Sequence, residues 1–113
     1  MIQMSEKKLN KVIVNTVDEE LKRIFGETAT LVIYGYLENN LSLKREKIPE
    51  KIDLFSQGLG SFFGSGAYML EKTIITNLYS SFGFNYQEKR GYTFVEYVTE
   101  LKNRLSVNNN KHP

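Results

Sequence analysis

Apolar residues recur every three or four positions through Leu9, Val12, Ile13, Thr16, Val17, Leu21, Ile24 and Phe25, with charges filling the gaps. That is the period of an amphipathic helix. Ser5 stands where an N-cap is expected and Gly26 where a helix stops, so the pattern predicts one long helix over 6–25. Its other face carries Lys7, Lys8, Lys11, Asp18, Glu19, Lys22 and Arg23 and reads as solvated. The following run, Ala29 to Leu37, is rich in β-branched and aromatic residues, which favour a strand. It lacks the alternation of a half-buried strand, and a buried helix gives the same pattern, so the residues leave both open. Glu27 before the run and Asn39-Asn40 after it suit helix ends.

Residues 41–51 form a connector, with Pro49 marking the start of the next element, where its missing N–H is harmless. Ile52, Phe55, Leu59, Phe62 and Phe63 then predict a helix from Glu50 to Phe63. Gly58 and Gly60 each weaken it by about 1 kcal/mol relative to alanine, which is tolerable where a neighbouring helix must come close. Gly64-Ser65-Gly66 breaks the chain. Ala67, Leu70, Ile74, Leu78, Tyr79 and Phe82 restore a helical stripe that ends at Gly83, and a loop over 84–92 follows. Thr93 and Glu96 have capping-box spacing, ahead of a last helix carrying Phe94, Tyr97, Val98, Leu101 and Leu105. The expected core includes Phe63, Leu70, Leu78 and Phe94. The tail, 106–113, offers nothing to bury and is expected to be disordered. The pattern amounts to a single domain over 1–105 of four or five helices.

A chain of 113 residues with 41% hydrophobic and 25% charged residues suits one globular domain. The absence of cysteine removes disulfides, thiolate metal sites and a thiol nucleophile, and the one histidine, His112, lies beside the C-terminus. No cofactor or metal is expected. The N-terminal stretch lacks the pattern of a signal peptide, and no apolar run is long enough to cross a bilayer, so the expected setting is cytoplasmic. A net charge of +2 is modest for a nucleic-acid binder.

Candidate chemistry is sparse. Gly58, Gly60, Gly64 and Gly66 lie in a charge-free stretch from Leu54 to Leu70, but their spacing misses the dinucleotide fingerprint and no Gly-Lys-Ser/Thr follows. They read as a helix C-cap at Gly64 and close packing at Gly66-Ala67. Glu20 lies near the apolar stripe of the first helix, with no sign of the apolar pocket that a general acid needs. Ser65 between two glycines is not a nucleophile elbow. The main helical stripes account least for Phe62, Tyr68 and Met69, with Tyr36 beside them, and these are the candidate partner contacts. Lys44, Arg45, Lys47, Lys51, Lys89 and Arg90 are the candidate nucleic-acid contacts, each group interleaved with acids.

One ordered set of residues resembles a family. Ile33-Tyr34, Leu37-Glu38, Ile48-Pro49, Phe55, Leu59, Phe63 to Ala67, Leu70-Glu71, Leu78-Tyr79, Gly83 and Phe94 to Val98 are similar to the small archaeal Nitrososphaera-type output domain, across residues 8–104. The resemblance implies an all-α fold, with 29–39 helical, and brings no catalytic motif. Two expectations of function follow. The first is a non-enzymatic helical module that binds a protein partner or itself; the alternative is a small basic accessory factor of a DNA- or RNA-processing assembly.

Overall fold

The computed structural model describes residues 4–105. The tail expected to be disordered, 106–113, lies outside them. Four helices make the architecture: α1 (Glu6–Leu41), α2 (Ile52–Phe63), α3 (Ala67–Ser80) and α4 (Phe94–Arg104). Two short 3₁₀ turns, Arg45–Glu50 and Gly64–Gly66, link α1 to α2 and α2 to α3. There is no strand element among the described residues, and the ambiguous run 29–37 is helix.

α1 is not a rod. Thirty-six residues at 1.5 Å each would reach about 54 Å, beyond the molecule's longest dimension of 41 Å. The helix breaks at Gly26, whose φ of 86° and ψ of 170° fall in a region essentially reserved for glycine. The two arms, 6–25 and 27–41, fold back on each other as a hairpin. Tyr34 and Asp18, each eight residues from Gly26, meet across it: the Tyr34 hydroxyl donates to Asp18 Oδ1 at 2.8 Å. Lys22 and Arg45 close on the same carboxylate at 3.0 and 3.3 Å, and the Arg45 guanidinium lies 5.2 Å from the centre of the Tyr34 ring. Burial acts to raise the Asp18 pKa. The hydrogen bonds from Lys22 and Tyr34, with the charges of Lys22 and Arg45, outweigh it and hold the carboxyl below its usual range.

The ends form as the pattern predicts. The Ser5 hydroxyl accepts from the Lys8 amide at 3.2 Å, and Thr93 with Glu96 makes a reciprocal capping box. Gly64 closes α2 with a φ of 62°. Two boundaries shift. Pro49 does not open α2 but is buried inside the preceding 3₁₀ turn, and α2 starts at Ile52. The first arm buries Leu9, Ile13, Val17 and Leu21, yet Ile24 and Phe25, read from the same stripe, are exposed in the last turn before the hinge.

The core joins that stripe to Ile33 and Leu37 of the second arm, Phe55 and Leu59 of α2, Leu70, Ile74 and Leu78 of α3, and Phe94 and Leu101 of α4. Phe63, expected in the core, is only half-buried, with its ring stacked on Phe25 at 5.2 Å. It ends α2 beside the hinge, where its ring neighbours are Phe25 and Phe62.

The two glycines inside α2 have opposite surroundings. A Cβ on Gly58 would overlap Leu37 Cδ2 and lie 2.9 Å from Leu41 Cδ1, so Gly58 is where the second arm presses onto α2. A Cβ on Gly60 would meet nothing within 4 Å. Gly60→Ala is therefore expected to stabilise the protein by about 0.5–1 kcal/mol through helix propensity. Gly58→Ala should show no such gain, since overpacking costs about 1–3 kcal/mol. Urea denaturation of the two variants checks this; equal gains would mean that the interface yields freely at Gly58.

Candidate functional site

Two surfaces stand out, an exposed apolar face and an aromatic-lined cleft that holds an acid. The apolar surface gathers at the hinge of α1. Phe25 stacks on Phe63, Phe63 meets Phe62 edge-on at 4.8 Å, and Phe62 meets Tyr36 at 5.0 Å. These contacts tie the hinge, the end of α2 and the second arm into one aromatic row. Val32 lies one turn before Tyr36, and Leu31 is its chain neighbour. They are 58% and 68% exposed, and Leu31 is more exposed than any other large apolar residue described. The second arm buries Thr30, Ile33 and Leu37 on its inner face and shows Leu31 and Val32 outside. It is apolar on both sides but packed on only one.

Of the four partner contacts expected from the sequence, the structure brings two together here, Phe62 and Tyr36. Tyr68 and Met69 are exposed as expected but sit elsewhere. Consecutive residues on a helix point about 100° apart. Tyr68 turns toward the loop before α4, where its hydroxyl donates to Glu88. Met69 lines a shallow hollow with Arg23, Thr73 and Asn77.

The second surface is a cleft of about 270 Å³ between α2, α3 and the start of α4. Tyr68, Tyr86 and Tyr92 line it, with the buried Ile75, Phe94 and Tyr97 beneath. The rings support one another: Tyr86 and Tyr92 pack on Tyr97 at 5.2 and 5.0 Å. Tyr97 is itself fixed, its hydroxyl accepting from the Lys89 amide at 2.6 Å. Glu71 is the half-buried acid of this cleft. Ser56 donates to its Oε2 at 2.5 Å, and no lysine or arginine reaches it among the described residues. Burial pushes the Glu71 carboxyl above its usual range, and the Ser56 hydrogen bond offsets that only in part. Lys72 is taken by Glu88 at 3.3 Å. Glu88 moves the other way, held below its usual range by hydrogen bonds from Tyr68 and Lys72.

The candidate nucleic-acid contacts are exposed, and half are already neutralised. Arg45 pairs with Asp18, Lys47 with Glu50 at 3.7 Å, and Lys89 with Glu100 at 2.8 Å. Lys44, Lys51 and Arg90 make no ion pair among the described residues. Glu20 is buried and bonded by Arg23 at 2.6 Å, which makes it one half of an ion pair. The described residues hold no group of three His, Cys, Asp or Glu able to bind a metal, and no helix long and apolar enough to cross a membrane.

Sequence reasoning missed Leu31, Val32, Ile24 and Phe25 as surface residues, and it missed Glu71. Glu71 carries no local signal; its position becomes distinctive only when α2 and α4 close around α3. No protein-family model, curated protein or solved structure matches this chain.

Proposed function

We propose that this chain is a non-catalytic helical protein-interaction module, and that its hinge face receives an amphipathic helix from a different protein. The observation that carries the reading is the exposure of Leu31 and Val32 beside the aromatic row of Phe25, Phe63, Phe62 and Tyr36. A contiguous apolar surface of this kind marks an interaction site, and a helix laid against it would bury both aliphatic and aromatic anchors.

Charge favours a foreign partner over a second copy. The second arm carries only two charges, Glu27 and Glu38, one near each end of its apolar stretch. Pairing this face with itself about Val32 and Ile33 in antiparallel fashion sets Glu27 against Glu38. Parallel pairing sets each against its own copy. Acid meets acid either way, and like charges disfavour association. A partner helix with an apolar face and basic ends complements the surface.

The resemblance to the archaeal output-domain family accords with this regulatory, non-enzymatic role, and the cysteine-free chain accords with a cytoplasmic one. The alternative, a basic accessory factor on DNA or RNA, has less support because acids already hold three of its six candidate cations.

The test is affinity capture from native extract, with and without nuclease, using the wild type and the double variant Leu31→Glu, Val32→Glu. A discrete protein partner should survive nuclease and be lost at least tenfold with the double variant, while the variant's melting temperature stays within about 2 °C. Light scattering of the purified chain should report a monomer. Capture that disappears with nuclease, or persists in the double variant, would remove the reading.

A further inference from the structure

We propose that the cleft between α2, α3 and α4 binds a methylated ammonium head group, its charge set against Glu71 and its methyl groups against the tyrosine rings. This site is separate from the hinge face and does not depend on the reading above.

Three observations lead there. The cleft, at about 270 Å³, falls just below the usual range of ligand sites, about 300–1,000 Å³. It suits a head group or the tip of a side chain better than a nucleotide. Its walls are largely ring systems, Tyr68, Tyr86 and Tyr92, and an aromatic face attracts a cation through its quadrupole, as Lys89 Nζ already does 5.0 Å from the centre of the Tyr92 ring. Its acid, Glu71, has a serine for its partner and no cation within ion-pair distance among the described residues.

The other ligand classes fit poorly. An anion would meet the Glu71 carboxylate, and Lys72, the lining cation of the cleft, is already neutralised by Glu88 at 3.3 Å. A metal ion would find too few ligands, since no group of three candidate ligands exists among the described residues. A neutral apolar ligand would strip water from the Glu71 carboxylate and give nothing in return. A bare ammonium is strongly hydrated, a cost that methylation lowers while adding surface to pack on the rings. A methylated ammonium meets the carboxylate and the rings at once.

That chemistry has two sources, a small quaternary ammonium compound or a methylated lysine side chain of a protein. Titration of the ¹⁵N-labelled full chain, followed by two-dimensional NMR, tests the site and separates the sources. Choline is the small cation and 3,3-dimethylbutan-1-ol its neutral isostere. A short Gly/Ser peptide containing trimethyllysine supplies the protein source, with the same peptide bearing plain lysine as control. Choline should give saturable shifts at Tyr68, Glu71, Tyr92 and Thr93, with the isostere at least about tenfold weaker.

Glu71→Gln should weaken choline about tenfold. The variant should remain folded, because the substitution removes a carboxylate that burial disfavours. Tyr92→Ala, at an exposed ring, is the second variant and should weaken choline severalfold. A trimethyllysine peptide that binds about tenfold tighter than choline, and tighter than the plain-lysine peptide, assigns the site to a protein side chain; choline equal to or tighter than the peptide assigns it to a free small molecule. Absence of saturable shifts at the cleft overturns the proposal. So does an isostere that binds as well as choline, or unchanged affinity in both variants.

Discussion

Phe55→Ala is expected to remove about 3–5 kcal/mol of stability, the range for emptying a buried phenylalanine site. A domain of this size has about 5–15 kcal/mol to lose, so the variant should stand near the edge of folding at 37 °C. Phe55 has no exposed surface and lies 6.1 Å from Phe94 across the α2–α4 contact, where the surrounding helices leave little freedom to collapse. Phe63, on the same helix, provides the contrast. It is half-buried and touches Phe25 and Phe62, both exposed, so Phe63→Ala should cost about 1–2 kcal/mol. Urea melts of the two variants measure the difference. A Phe63→Ala loss as large as that of Phe55→Ala would place the true core at the hinge.

The difference between these two phenylalanines shows how far local pattern reaches. Both sit on the stripe of one helix, and spacing treats them alike. Only the tertiary arrangement places Phe55 under α4 and Phe63 beside an exposed hinge. Elements with a single buried face were legible: the first arm of α1, then α3 and α4 with their caps and glycine stops, follow the 3.6-residue period closely. The run 29–37 was not, for a definite reason. Its inner residues Thr30, Ile33 and Leu37 are buried against the first arm, while its outer residues Leu31 and Val32 are also apolar. A helix that is apolar all round shows no period, so strand and helix could not be separated from the residues alone. The feature that hid the secondary structure is the same one that exposes the proposed docking face. Glu71 was illegible for the opposite reason. It sits among residues of ordinary helical character, and its place in the cleft with no ion-pair partner among the described residues arises from three helices meeting.

Gly26→Ala is the most informative single change in the chain, because it acts on the backbone alone. A Cβ at residue 26 would meet nothing within 4 Å, so no clash opposes the substitution. The cost comes from holding an L-residue at φ 86° and ψ 170°, about 1–3 kcal/mol. At roughly 4–8 °C per kcal/mol for a domain near this size, the melting temperature should fall by about 4–24 °C. Alanine also favours the helical geometry that Gly26 interrupts. The variant therefore gains an alternative in which the two arms run on as one straight helix, parting Tyr34 from Asp18. The stripe of Leu9, Ile13, Val17 and Leu21 would then lose Ile33 and Leu37 and be left to find them on another chain. Short hinges altered in this way invite domain swapping. Light scattering at rising concentration should reveal a dimer in Gly26→Ala that the wild type does not form, and helix content by circular dichroism should not fall. A monomeric variant with an unchanged melting temperature would show that the hinge tolerates a side chain, and that the fold of α1 is held by packing rather than by the conformational freedom of glycine.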